Sequence, residues 1–328
     1  MTRFLIICSL LMLIPACSAD TDYIVNQYIP EEIVYIDLMY EEAESYHNID
    51  ICQIKATLLE HEYILDVVPI FEYLDPDSVV IYRIRYTSDA YEVVGYVIAP
   101  ADFMEQEYPI LIFNRSGNRE AGTIRLNNII PLAQRGYVLL ASQYRGVAGG
   151  TGTDQFGGDD INDVLRLIDI SESFNFAQQG GVYMVGSSRG SKMTYIASRL
   201  DDRIVAATVW AGATNAFDTF YERELAMQRV YIDLVGGTPE ELPEEFERRS
   251  PVMWANEIQA PFLIVHGGEA DWRTPTHHAI NMAEALERYG LPHRLVIYLD
   301  IGHDFDELHF MKFLDEMDEW FRMHPVGE

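Results

Sequence analysis

Lysine is almost missing from this 328-residue chain: Lys55, Lys192 and Lys312 are the only ones, and arginine supplies the rest of the fixed positive charge. Against 23 lysines and arginines stand 52 aspartates and glutamates, a formal charge of −29. A surface of that sign repels phosphate backbones and anionic headgroups, which excludes nucleic acid as a partner. It reads as a solvated acidic face rather than as a recruiter of cationic proteins. Cysteine is scarce as well, with Cys8, Cys17 and Cys52. No C-x-x-C pair occurs, so neither a structural zinc nor a thiol redox site is expected, and no metal or organic cofactor is called for. Internal repeats and low-complexity tracts are absent.

Long apolar runs are also missing, except for residues 4–14 behind the basic Arg3. That run is too short to span a bilayer comfortably and has the proportions of a signal peptide, so residues 1–19 are expected to direct export. Within it, Leu13-Ile14-Pro15-Ala16-Cys17 resembles a bacterial lipobox, with cleavage before Cys17 and a lipid on that cysteine attaching the chain to a membrane. The alternative is simple cleavage after Ala19 and release into the periplasm or medium. Either way Cys52 is left without a partner, and no internal disulfide can form.

What is abundant is apolar and aromatic side chain, 48% and 12% of the residues, enough for a large core. The length suits one α/β unit of ~200 to 250 residues with extensions. Val79 to Ser88 and Tyr91 to Ala101 alternate apolar with polar, as an antiparallel opening pair would. Buried parallel strands are expected in YPILIF and YVLLAS, separated by a helix-length segment over 122–136, and then in GVYMVGS, RIVAATVW, APFLIVHGG and HRLVIYLD. Such alternation gives a mostly parallel sheet with helices on both faces. Two segments interrupt it. Residues 20–74 form an acidic extension with no assignable chemistry, and residues 214–257 are too long for an ordinary connection and are expected to fold as a helical lid.

The stretch Gly186-Ser187-Ser188-Arg189-Gly190 falls between a strand and a helix, the context of a G-x-S-x-G nucleophile elbow with Ser188 at its centre. Ser187 and Ser191 read as local hydrogen bonders. A serine hydroxyl is a weak nucleophile at neutral pH, so it needs a base and the base an orienting acid. Of nine histidines, His303 alone lies in the loop directly beyond the carboxyl end of the last strand, the sheet edge where catalytic groups gather. His266, His277, His278 and His293 fail on order or position and read as surface or supporting side chains. Asp271 is the candidate acid, with Glu269 and Asp300 as backups. The oxyanion donors are expected to be the backbone N–H of Arg189 and that of Gly117, with Ser116 next.

With these residues placed, the chain resembles the catalytic domain of the prolyl oligopeptidase family of serine peptidases, within the α/β-hydrolase superfamily. The resemblance runs from about residue 75 to the end and rests on GSSRG, QYRGVAGGTG, YLDIGHDF and the stretch from Gly236 to Pro275. It implies an α/β-hydrolase fold over 75–328 with Ser188, Asp271 and His303 as triad, and a structural role for Tyr144 and Arg145. Three departures stand out. Residues 20–75 are far too few for the family's usual β-propeller, Arg115-Ser116-Gly117-Asn118 replaces a His-Gly-Gly-Pro loop, and one extra residue separates His266 from Asp271. The expected function is an exported peptidase acting on a small peptide or amide, with a carboxylesterase for small acyl esters as the alternative. A catalytically silent binding module is a third reading, and the chemically competent residues at all three triad positions weigh against it.

Overall fold

The computed structural model describes residues 55, 57–70, 79–103 and 105–327. Residues 1–19, expected to be a leader, Cys17, Cys52 and most of the 20–74 extension lie outside them. Thr57–Glu328 make one compact unit, whose sheet begins earlier than the strand patterns indicate. Strand β1 (Ile64–Pro69) falls within the extension and pairs antiparallel with β2 (Val79–Ser88). A register shift between Ile64 and Asp66 leaves Ile64 and Val67 buried three residues apart, which hides the period-two signal of a strand.

β2 pairs antiparallel with β3 (Tyr91–Pro100), with Val79 opposite Pro100 and Ser88 opposite Tyr91. β4 (Ile110–Asn114), β5 (Val138–Ser142), β6 (Val182–Ser187), β7 (Ile204–Trp210), β8 (Phe262–Gly267) and β9 (His293–Tyr298) complete a nine-stranded sheet in the order β1-β2-β3-β5-β4-β6-β7-β8-β9. From β5 to β9 every pairing is parallel. The chain steps one way from β4 to β5 and the other way from β6 onward. The crevice beyond the carboxyl ends of β4 and β6 is therefore the topological switch point, where α/β sheets bind ligands.

The helix expected over 122–136 is mostly irregular. Turns of 3-10 helix at Arg119–Gly122 and Leu126–Asn128 precede a single α-turn, α1 (Ile130–Ala133). Pro131 is tolerated only in a first helical turn, and Gly136, with φ of 90°, ends the segment soon after. The other crossover helices are regular: α2 (Asn162–Ser171) and α3 (Arg189–Leu200). The segment 214–257 carries three helices, α4 (Ala216–Glu222), α5 (Leu225–Val235) and α6 (Pro243–Arg248). Asn215 caps α4 by accepting the Phe217 N–H at 3.0 Å, and Phe220, Tyr231, Leu234 and Phe246 give the insertion a small core of its own, shared with Phe156. Helices α7 (His277–Arg288) and α8 (Glu307–Met323) close the chain.

Both faces of the central strands are covered. Leu111 and Phe113 of β4 pack into a cluster with Leu132 of α1 and Phe313 of α8, while the alternate residues Ile110 and Ile112 are buried on the opposite face, the side packed by α2 and α3. Strands buried on both faces carry continuous apolar runs. No helix among the described residues is long and apolar enough to cross a membrane.

Candidate active site

Ser188 is the single residue between β6 and α3, and it has φ 52° and ψ −114°. That conformation is costly for a residue with a side chain and persists only where its surroundings enforce it. Here the Ser188 N–H donates to the Trp210 carbonyl at 2.9 Å. Two residues on, a Cβ at Gly190 would lie 1.9 Å from the Asn114 carbonyl oxygen, so only glycine lets α3 start this close to β4. Of the flanking serines, Ser191 is a hydrogen bonder, its Oγ 3.1 Å from Gly186 O and 2.9 Å from Trp210 O, while Ser187 lines the cavity.

His303 reaches Ser188 from the loop after β9, its Nε2 3.1 Å from Ser188 Oγ. Its Nδ1 lies 3.0 Å from both carboxylate oxygens of Asp271, in the loop after β8. An ionised carboxylate can only accept, so Nδ1 carries the proton and Nε2 presents its lone pair to the serine hydroxyl. Asp271 is buried and also accepts the N–H groups of Arg273 at 3.1 Å and Thr274 at 2.9 Å. Burial works to raise its pKa. The His303 hydrogen bond and charge and the Thr274 amide outweigh that and hold it below the ordinary carboxylate value.

The backup acids stand apart. Glu269 is exposed, and Asp300 faces His309 Nε2 at 3.2 Å. His266 is buried rather than superficial, with Nε2 3.9 Å from Asp271 Oδ2 and Nδ1 2.9 Å from the Gly267 carbonyl. His278 is buried too, and with His277 and Glu222 it forms a group that could in principle reach one metal ion. The Thr214 N–H donates to His278 Nδ1 at 3.3 Å, which puts the proton of the neutral ring on Nε2, the atom a metal would need. Burial first, and then the neighbouring His277, lower the His278 pKa to about 3 and keep it neutral.

Arg189 is the first residue of α3, so its N–H belongs to the helical amides without an intrahelical acceptor, and it follows Ser188 directly. Gly117, with φ 69°, and Ser116 line the same cavity as Ser188. A Cβ at Gly117 would lie 2.7 Å from Gly122 Cα. Tyr144 and Arg145 are buried, Arg145 Nη2 lying 2.7 Å from Asp163.

What sequence reasoning missed is the side chain of Arg189. It is buried beneath the elbow, with Nη1 2.7 Å from Asp154 and Nη2 2.6 Å from Asp160. The Tyr144 ring lies between two arginines in the sense that Arg189 and Arg115 each place Cζ 4.7 Å from its centroid. Burial tends to raise the Asp154 pKa, but the Arg189 charge and hydrogen bond dominate and lower it to about 2. The acid-rich TGTDQFGGDD was the available signal. The cavity measures about 790 Å³. Phe156, Trp210, Tyr231 and Phe305 line it, together with Thr219, Arg223 and Met227 of the insertion. Trp254, Trp272, Phe217 and Tyr221, the aromatics that stand out in the sequence, are not among its lining residues: Trp254 is buried against Arg199, and Phe217 packs on Phe246.

The sequence model of the prolyl oligopeptidase family matches residues 123–324, most of the chain and all three of these residues. The chain belongs to that family. Among curated proteins, this family member is 28% identical over 243 residues to the uncharacterized peptidase YtmA of Bacillus subtilis, covering 74% of this chain and 93% of YtmA. It is 25% identical over 231 residues to dipeptidyl-peptidase 5 of Porphyromonas gingivalis, covering 66% of this chain but 34% of that protein. Among solved structures, an acylaminoacyl peptidase superposes with a TM-score of 0.65 at 19% identity, over 76% of this chain and 43% of the other. The acetyl xylan esterase from Paenibacillus sp. R4 superposes at 0.61 with 18% identity, over 89% of this chain and 97% of the esterase. At such identities the superpositions establish the α/β-hydrolase fold. Family membership makes the protein a serine hydrolase.

Proposed function

We propose that this member of the prolyl oligopeptidase family is a peptidase that cleaves a peptide or amide bond through an acyl-enzyme on Ser188. The observation that carries the reading is the continuous hydrogen-bonded line from Ser188 Oγ through His303 to buried Asp271, at 3.1 and 3.0 Å, opening on a cavity of about 790 Å³. In the acylation step Ser188 Oγ attacks the substrate carbonyl carbon while its proton passes to His303 Nε2. Asp271 holds the ring in the productive tautomer and balances the imidazolium. The carbonyl oxygen becomes an oxyanion, which the N–H groups of Arg189 and Gly117 are proposed to receive, with Ser116 as the alternative donor. Collapse breaks the bond to the leaving nitrogen, which takes the proton from His303. Water then attacks the acyl-serine, gives its proton to His303, and releases the acid and free Ser188.

The second reading, a carboxylesterase for small acyl esters, uses the same steps with oxygen as leaving atom. The fold likeness to the acetyl xylan esterase, nearly end to end, favours it. Turnover of N-acylaminoacyl arylamides alongside aryl esters supports the peptidase; hydrolysis confined to the esters supports the esterase. Export remains part of the proposal, carried by the leader-like residues 1–19. N-terminal sequencing of the mature chain tests it: a lipid-modified start at Cys17 or a start at Asp20 is expected, and a retained Met1 would contradict it.

A further inference from the structure

Lys192, one of the chain's three lysines, is buried in the wall of the cavity that contains Ser188. It stands on α3 one turn beyond the serine, about 6 Å along the helix axis. Its Nζ lies 4.0 Å from the centroid of Phe156 and 5.5 Å from that of Tyr231, an aromatic cradle that favours an ammonium. The backbone makes room for its stem: a Cβ at Gly157 would come within 3.0 Å of Lys192 Cε. Asp154 and Asp160 are both engaged by Arg189, and Lys192 is in none of the ion pairs among the described residues. Burial, and then repulsion from Arg249 and Arg189, push its pKa well below that of an ordinary lysine. Asp160 and Asp154 attract it without offsetting the burial, and it has no direct ion pair; a carboxylate delivered by a ligand would supply one and favour the ammonium.

The strand order says which part of a ligand reaches it. Phe156 follows β5 and His303 follows β9, and these strands lie on opposite sides of β6, which delivers Ser188. The leaving group must lie on the His303 side, because it takes its proton there. The acyl portion then occupies the Phe156 side, where Lys192 is. The cavity's acidic lining residues, Asp304, Asp306 and Glu307, all belong to the His303 side, where Arg273 pairs with Asp304 at 3.1 Å; among the described residues, no acidic one lines the Phe156 side. Resting on the acyl transfer at Ser188 argued above, we propose that Lys192 is a specificity-determining residue: the preferred substrate carries a carboxylate on its acyl portion, as a glutamyl or aspartyl side chain does, and the Lys192 Nζ receives it.

Two ratios test this on the full chain, one from turnover of N-acetylglutamyl against N-acetylglutaminyl p-nitroanilide, the other from calorimetric binding of N-acetylglutamate against N-acetylglutamine. A charge-assisted hydrogen bond predicts that the wild type favours the acid by about 10- to 100-fold in both, and that K192M, checked for folding by its melting curve, brings both ratios near one. Equal or reversed preference in the wild type overturns the proposal, as does an undiminished preference in folded K192M. The wild-type ratios decide the matter if K192M does not fold. The binding ratio needs no chemistry, so a failure of acyl transfer at Ser188 would be seen separately, as loss of turnover with acid-selective binding retained.

Discussion

Arg189, the residue after the proposed nucleophile, has its guanidinium buried, 2.7 Å from Asp154 and 2.6 Å from Asp160. The helix that starts at the elbow is thus tied to the loop after β5 by a buried ionic cluster. Removing one partner of such a cluster leaves charge uncompensated. Asp154→Asn is expected to destabilise the fold by roughly 3 kcal/mol, read as a lower urea midpoint with an unchanged slope. A midpoint unchanged from wild type would show that Asp160 alone suffices.

The same cluster sets the acid limit of stability. Asp154 has its pKa lowered to about 2 from an ordinary 3.8, and Asp271 is lowered too. A carboxylate depressed in the folded state stabilises above its unfolded pKa and loses that contribution as pH falls through the folded one. Stability should therefore drop between about pH 4 and pH 2, by roughly 2 kcal/mol from Asp154, and Asp154→Asn should flatten this part of the curve. Denaturant titrations across that range check the sign, and a profile of equal steepness in the variant would contradict it.

Close backbone approach at the elbow gives a third expectation. With only 1.9 Å between a Cβ at position 190 and the Asn114 carbonyl, Gly190→Ala must push α3 away from β4. A loss of more than about 3 kcal/mol is expected, at the upper end for single substitutions, accompanied by loss of serine reactivity. A folded and reactive variant would mean that the two segments can separate freely.

For the acid, Asp271→Asn keeps the shape but can donate to Nδ1, which places the ring proton on Nε2 facing the serine. By analogy with other triads, kcat should fall by about 10⁴ with little change in melting temperature. Glu269→Gln, at an exposed site, should leave kcat within about twofold. A large effect at Glu269 and a small one at Asp271 would reverse the assignment.

Much of this architecture was legible in the sequence, for physical reasons. Runs such as Ile110 to Phe113 and Val138 to Ala141 are apolar at every position because both faces of the sheet are covered, and the elbow is visible because few residues satisfy its crowding. His303 could be found from chain order and its place in the loop directly after the last strand. β1 was hidden by its register shift at Ile64, and the segment before α1 by turn chemistry that resembles helix in composition but not in spacing. The partners of Arg189 lie 35 and 29 residues before it, and no local pattern announces a pairing across that distance. Lys192 stood out only as a rarity, and its place in the cavity depends on how the insertion packs over Phe156.

The central claim is that Ser188 is an activated nucleophile, and labelling the purified protein with a fluorophosphonate probe tests it most directly. Stoichiometric labelling at neutral pH that disappears in Ser188→Ala is the predicted result. A folded wild-type protein that takes up no label, or a Ser188→Ala variant that labels equally well, would contradict it.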